Sequence, residues 1–194
     1  MEALCLDVLH SDWHDWRGTG KDEDRLLKPG WVEQLVARWA LPVADPPDAH
    51  VIAALQALRS LMQRIVHALL QQQTLSEQDI AALNIYLDAA PHKWHLVRGG
   101  QHYQLQQIPL THDWDHILGE VALSFARFLV RDLSRLKQCE NPDCRWIYYD
   151  ESANQTRRWC EDPCANLMRV RRFRARQRER NHMKTGREKS KDGV

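Results

Sequence analysis

The sequence predicts a mainly α N-terminal domain with one small β-hairpin (α+β) over residues 1–135. A cysteine-held module follows at 136–180 and ends in a basic helix. Three observations predict this division. Apolar residues recur at three- and four-residue steps through much of the first 135 residues. Four of the five cysteines fall between Cys139 and Cys164. The charge also divides: residues 1–135 carry a net −5 and residues 136–194 a net +6, although the whole chain is only +1. Such segregation suggests a body and a separate surface for a polyanion.

The N-terminus, MEALCLDVLH, has no basic lead and no long apolar stretch, so no secretory signal and no membrane span are expected. The expected location is a reducing cytoplasm, where structural disulfides are rare. Pro29-Gly30 opens a helix in which Trp31, Leu35 and Trp39 recur near helical spacing; Pro42 ends it. Asp48 is the expected N-cap of a helix over about 49–72, with Ile52, Leu55, Leu58, Met62, Ile65 and Leu69 as its apolar stripe. Ser76 with Asp79 resembles a capping box for a helix running to about Ala90. The period then changes. WHLVR and QHYQL alternate on either side of Gly99-Gly100, which predicts a hairpin near 94–105. From Thr111, the expected N-cap, one long amphipathic helix runs directly toward Cys139; Trp114, Ile117, Leu118, Val121, Phe125, Phe128, Leu129 and Leu136 form its buried stripe.

Two polar clusters could hold a metal. His10, Asp12, His14 and Asp15 lie in HSDWHDWRG, which reads first as a polar loop. His112 and His116 in THDWDH are four apart and would share a helix face, although acidic residues at a helix start also satisfy its dipole. There is no catalytic triad pattern, glycine-rich phosphate loop or HExxH, so no enzyme is expected.

Cys139, Cys144, Cys160 and Cys164 follow C-x4-C-x15-C-x3-C. Two close pairs separated by a turning segment suit one structural, tetrahedral Zn²⁺ better than an iron–sulfur cluster, disulfides or four idle thiols. Glu140-Asn141-Pro142-Asp143 makes the turn inside the first pair. RWIYYD and TRRWC would pair as strands. Asp162-Pro163 starts a helix with Cys164 in its first turn. Knuckle, hairpin and ligand-bearing helix make a treble-clef-like zinc finger. Leu167, Val170 and Phe173 would dock that helix on Trp146 and Trp159. Arginines at 169, 171, 172, 174, 176, 178 and 180 repel one another on an isolated helix and become favourable against phosphate. Residues 181–194 read as a basic flexible tail.

CENPDC-RWIYYDESANQTRRWCEDPCANLMRVRRFRAR resembles the CGNR-type zinc finger of bacterial regulators. The matching features are the C-x4-C knuckle, Asp150, Ser152, Asn154, then Arg157, Arg158, Trp159 and Cys160. The naming motif reads Cys164-Ala165-Asn166-Leu167, with Ala and Leu where the family has Gly and Arg. The N-terminal part is similar to the ABATE domain through LCLDVLHS, ALRSLM, LNIYLDAAP and the hairpin up to Leu105. The resemblance covers about residues 3–178. It implies a stress-responsive, DNA-binding transcription regulator with one structural Zn²⁺ on the four cysteines.

DNA contacts are expected from Arg157, Arg158, Arg169, Arg171, Arg172, Arg174, Arg176 and Arg178. A small-molecule effector of the N-terminal domain is expected near Asp7, His10 and Arg59. Homodimerisation and a nucleoid-associated, cytoplasmic location complete the expectation. The alternatives are RNA binding, with Trp146, Tyr148 or Tyr149 stacking bases, a partner protein that meets the basic helix, and an enzyme using the N-terminal histidines.

Overall fold

The computed structural model describes the backbone of residues 3–43 and 45–189 and side chains as far as His182. The N-terminal core is built where apolar stripes meet. Helix α1 (Leu4–Leu9) buries Leu4, Cys5, Leu6, Val8 and Leu9 among α2 (Trp31–Arg38), α3 (Ala49–Leu70) and α5 (Trp114–Leu129). Leu55, Leu58, Met62 and Ile65 of α3 are fully buried, facing Ile117, Val121 and Phe125 of α5. Cys5 belongs to this core; burial pushes its thiol up to about 11, so it is an inert apolar residue.

The caps expected at α3 and α4 (Glu77–Asp88) are present. Asp48 accepts from the Val51 N–H at 2.9 Å, and Ser76 from the Asp79 N–H at 3.1 Å. At α5 the cap is Asp113, not Thr111: its carboxylate takes the His116 N–H at 2.9 Å. His112 therefore lies outside the helix, and the expected His112–His116 helix face does not form. Helices α4 and α5 approach so closely that a Cβ at Gly119 would sit 2.1 Å from the Ala90 Cβ.

Strands β3 (His92–Gly99) and β4 (His102–Pro109) form the predicted hairpin, longer than expected and with the turn moved by one residue. Gly99 pairs with His102, and Gly100 takes φ +65° at the first turn position, the pattern of a type II′ turn. A second hairpin is not foreshadowed by the sequence pattern. Strand β1 (Asp12–His14), inside the HSDWHDWRG stretch that reads as a polar loop, pairs with β2 (Asp22–Asp24) just beyond it. Their carboxylates are held from α3: Arg59 grips both oxygens of Asp24 at 2.6 and 2.7 Å, and Gln63 donates to Asp12 at 2.9 Å.

Helix α5 stops at Leu129 instead of running on to the cysteines. Asp132 caps a short 3-10 turn (Leu133–Arg135), after which β5 (Leu136–Gln138) pairs with β6 (Ile147–Tyr149). Leu136 is buried as expected, but from a strand. TRRWC is not the partner strand; β5 takes that place, and the cysteine knuckle is the loop of the β5–β6 hairpin. Helix α6 spans Asp162–Lys189. It continues into the stretch expected to be a flexible tail, where no proline interrupts it. Residues 190–194 of that tail lie outside the described residues. No helix among the described residues is long and apolar enough to cross a membrane.

Candidate metal centre and basic helix

The β5–β6 hairpin holds Cys139 and Cys144 at its tip, and the chain returns through residues 150–159 to deliver Cys160 and Cys164 at the start of α6. All four sulfurs are buried and lie within 4.8 Å of one another. Cys144 Sγ is 3.6 Å from Cys160 Sγ, which is 3.8 Å from Cys164 Sγ. A tetrahedron with Zn–S bonds of about 2.3 Å has edges of about 3.8 Å. The donor set and its spacing therefore fit one structural zinc ion with every position filled by protein. Hydrogen bonds from Cys144 and Cys160 push the Cys139 thiol down to about 2, whereas their own thiols are pushed up by those same hydrogen bonds and that of Cys164 by burial. Four thiolates can coexist here only with a cation between them.

The shell around the sulfurs comes from both modules. Asn141, fully buried, donates to the Trp16 carbonyl at 2.8 Å and to Cys164 Sγ at 3.4 Å. Trp16, Trp146 and Trp159 pack around the cysteines. Arg171 of α6 donates to Asp143 at 2.6 Å and to the Arg17 carbonyl at 2.9 Å. Gly18, at φ +82°, passes so close that a Cβ there would lie 2.7 Å from both of those side chains. In the sequence Asn141 is legible only as a turn residue, and the part played by Trp16 has no signal there.

Asp150 anchors the return segment. It is fully buried and accepts from Lys137 Nζ (2.6 Å), Ser152 N (3.0 Å), Ser152 Oγ (2.5 Å) and Arg157 N (3.0 Å). Burial alone would raise its pKa; these donors together hold it well below the usual carboxylate range.

His10 joins the modules. Its ring stacks on Trp146 at 4.2 Å, nearly parallel, and its Nε2 donates to the Ile147 carbonyl at 2.8 Å. Burial pushes its imidazolium down to about 4. The folded value lies below the unfolded one, so the unfolded chain takes up the proton first. The junction's contribution is complete above about pH 6.5 and fades as pH falls toward 4, by on the order of 3 kcal/mol. We expect the His10→Gln protein to lack this part of the slope when urea midpoints are measured between pH 4 and 7. Equal slopes in both proteins would refute it.

The expected ligand trio is not brought together. Asp7 and His10 line one cleft of about 450 Å³ between the modules, with Arg25, Trp31, Arg38 and Arg157. Asp7 already accepts from Trp39 Nε1 at 2.8 Å and lies 3.4 Å from Arg38. Arg59 does not line that cleft; it is spent on Asp24 and on Ser11 Oγ. Of the HSDWHDWRG residues, His14 lies between Asp22 at 2.6 Å and Asp12 at 3.5 Å, while Asp15 accepts from Thr19 at 2.6 Å.

The expected DNA-contacting arginines fall into two groups. Arg158 pairs with Glu140, Arg157 donates its Nε to the Trp159 carbonyl at 2.8 Å and lies over Tyr148, and Arg171 is tied down as described. Arg169, Arg172, Arg174, Arg176 and Arg178 lie along α6, all exposed, and of these Arg172 rests 5.2 Å over the Trp159 ring. Among the described side chains of the helix, those from Arg172 to His182 are exposed. Val170 and Phe173, expected to dock, are 44% and 57% exposed, because the helix leaves the module's surface there. At 28 residues it is about 42 Å long, and its described side chains from Arg172 on stand in solvent.

Residues 135–177 match the family model of the CGNR zinc finger. Residues 2–132 match the ABATE family, described as a putative stress-induced transcription regulator. A comparison with curated proteins finds no match.

Proposed function

Since the chain belongs to the ABATE family and carries a CGNR zinc finger, we propose that it is a bacterial transcription regulator that binds duplex DNA through α6 when its finger holds zinc. Neither family is an enzyme family. The observation that carries the reading is the exposed helix, with arginines at 169, 172, 174, 176 and 178 along it and an ordered metal module at its base. Guanidinium groups gain most from phosphate, where each contact releases counterions, and they also pair bidentately with guanine. Arg157, Arg158 and Arg171 act mainly by holding the module's shape. The zinc supplies no chemistry beyond cross-linking; the helix direction is set by Cys160 and Cys164, Asn141 and the Arg171–Asp143 pair.

RNA binding is disfavoured because its stacking residues are spent. Tyr148 and Tyr149 are buried, and Trp146 is covered by His10. The cleft between the modules is where a small effector would act, since a molecule touching Asp7 and His10 also touches Trp146 and Ile147 beside the metal centre. Such a protein works in the cytoplasm at the nucleoid, and half-site symmetry favours a homodimer.

Selection of duplexes from a random pool by the zinc-loaded protein, with a chelated control, tests the reading. A recovered motif that is lost on chelation supports it, and the motif's symmetry reports the oligomer. Retention of RNA in preference to duplex DNA in competition would overturn it. Arg172, whose guanidinium sits 5.2 Å over Trp159 near the helix base, gives a sharper prediction. Arg172→Ala should weaken binding to every sequence alike and lower the salt-dependence slope by about one. An unchanged slope would remove Arg172 from the interface.

A further inference from the structure

A second group of ligating side chains lies outside the finger, where β3 begins against α5. His92, His116 and Glu120 each offer a ligand atom, all within 4.8 Å of one another. His92 Nε2 donates to Glu120 Oε1 at 2.6 Å, and His116 Nε2 lies 3.9 Å from the same oxygen. The two imidazole rings are 5.4 Å apart. We propose that His92, His116 and Glu120 form a second metal site, for a divalent transition ion of the zinc, cobalt or nickel type.

Four observations carry it. The donor set, two imidazoles and one carboxylate, suits such an ion and leaves open positions for water or a small ligand. At metal–ligand distances of about 2.1 Å, neighbouring donors stand about 3.0 Å apart at a right angle and about 3.4 Å apart in a tetrahedron. The observed 2.6 and 3.9 Å bracket that range, so small side-chain rotations close the site. His116 is only 1% exposed, yet its Nδ1 has no hydrogen-bond partner among the described residues, and its Nε2 stands beyond hydrogen-bond distance of Glu120. A buried imidazole nitrogen without a partner calls for an explanation such as a water or an ion, and the ring's other nitrogen, Nε2, is the one that faces Glu120. Finally there is a way in: the His92 and Glu120 side chains are 11% and 21% exposed, so the pair reaches solvent.

On binding, the ion would take the place of the Nε2 proton of His92; in the neutral ring that proton passes to Nδ1 by way of solvent, so the ligand stays a neutral imidazole. Without the ion the same pair merely ties the hairpin to α5.

The test uses full-length protein with Zn²⁺ already on its cysteines, titrated with Co²⁺. One further equivalent should bind, with weak visible bands and no thiolate-to-cobalt charge transfer, and it should broaden the His92 and His116 ring protons. Glu120→Gln, nearly isosteric, and His92→Gln should each weaken this binding about tenfold or more. The zinc on the cysteines should stay in place, so failure here is distinguishable from failure of the finger. His116 is in the core and its replacement could unfold the domain, so the other two substitutions decide the matter. No second equivalent below millimolar Co²⁺, or one that is indifferent to both substitutions, overturns the proposal.

Discussion

The Cys160→Ser protein is expected to purify without zinc and to lose duplex binding altogether. Cys160 stands 3.6 and 3.8 Å from two other sulfurs, and its N–H also donates to Cys139 Sγ at 3.5 Å. The substitution removes one ligand of four, while the backbone N–H that donates to Cys139 Sγ stays. The finger has little apolar core of its own beyond the cysteines, Tyr148 and three partly covered tryptophans. Metal binding of this kind supplies on the order of 10 kcal/mol or more, so folding and loading are one event. The direction of α6 goes with it, because that helix leaves the module within a few residues of Cys164. Metal content by atomic emission, near-UV circular dichroism and fluorescence anisotropy on a labelled duplex give the result. A metal-free Cys160→Ser protein that binds duplex as tightly as the parent would refute the zinc-dependent reading.

Asp150→Ala is the second large effect, and it lies away from the sulfurs. Its removal strands two backbone N–H groups, those of Ser152 and Arg157, and leaves the Lys137 ammonium with only the Gln155 and Arg157 carbonyls. Breaking a buried, hydrogen-bonded charge pair costs about 3–5 kcal/mol. Because the return segment must be in place to present Cys160, the loss should appear as roughly a thousandfold weaker zinc affinity in a chelator competition. Asp150→Asn, which keeps acceptor capacity but not charge, should fall between the two. Parent-like zinc affinity in Asp150→Ala would mean that the segment folds without its buried carboxylate.

The parts of this molecule that are legible in its sequence are those fixed by local chemistry. The α3 stripe, the Asp48 and Ser76 caps and the C-x4-C-x15-C-x3-C spacing each state their structure within a few residues. What escapes depends on contacts between distant segments. The stripe of α5 continues in register through Leu136, so periodicity does not show that Asp132 ends it and begins a turn. DWH and DED have poor strand propensity and pair because Arg59, Gln56 and Gln63 of α3 hold their carboxylates. RWIYYD reads as pairing forward with TRRWC. The ladder instead forms backward to Leu136–Gln138, since Asp150 and Lys137 fix residues 150–157 by side-chain bonds. At the metal centre the ligands are visible in the sequence, whereas Asn141 reaching Trp16 is not. His92 is 24 residues from His116, and only the β3–α5 packing brings them together.

The stack of His10 on Trp146 belongs to a broader weld. Leu136 and Tyr149 of the β5–β6 hairpin are members of the N-terminal core, Phe128 meets Tyr149 edge-on at 5.7 Å, and Arg131 lies over the same ring at 4.1 Å. Such a junction makes cooperativity span the whole chain. Calorimetry of the zinc-loaded protein should give one endotherm whose van't Hoff and calorimetric enthalpies agree, where two loosely tethered bodies would give two. By the same coupling, whatever loosens the metal centre is felt at α1, and whatever settles against α1 is felt at the metal, with equal free energy in both directions.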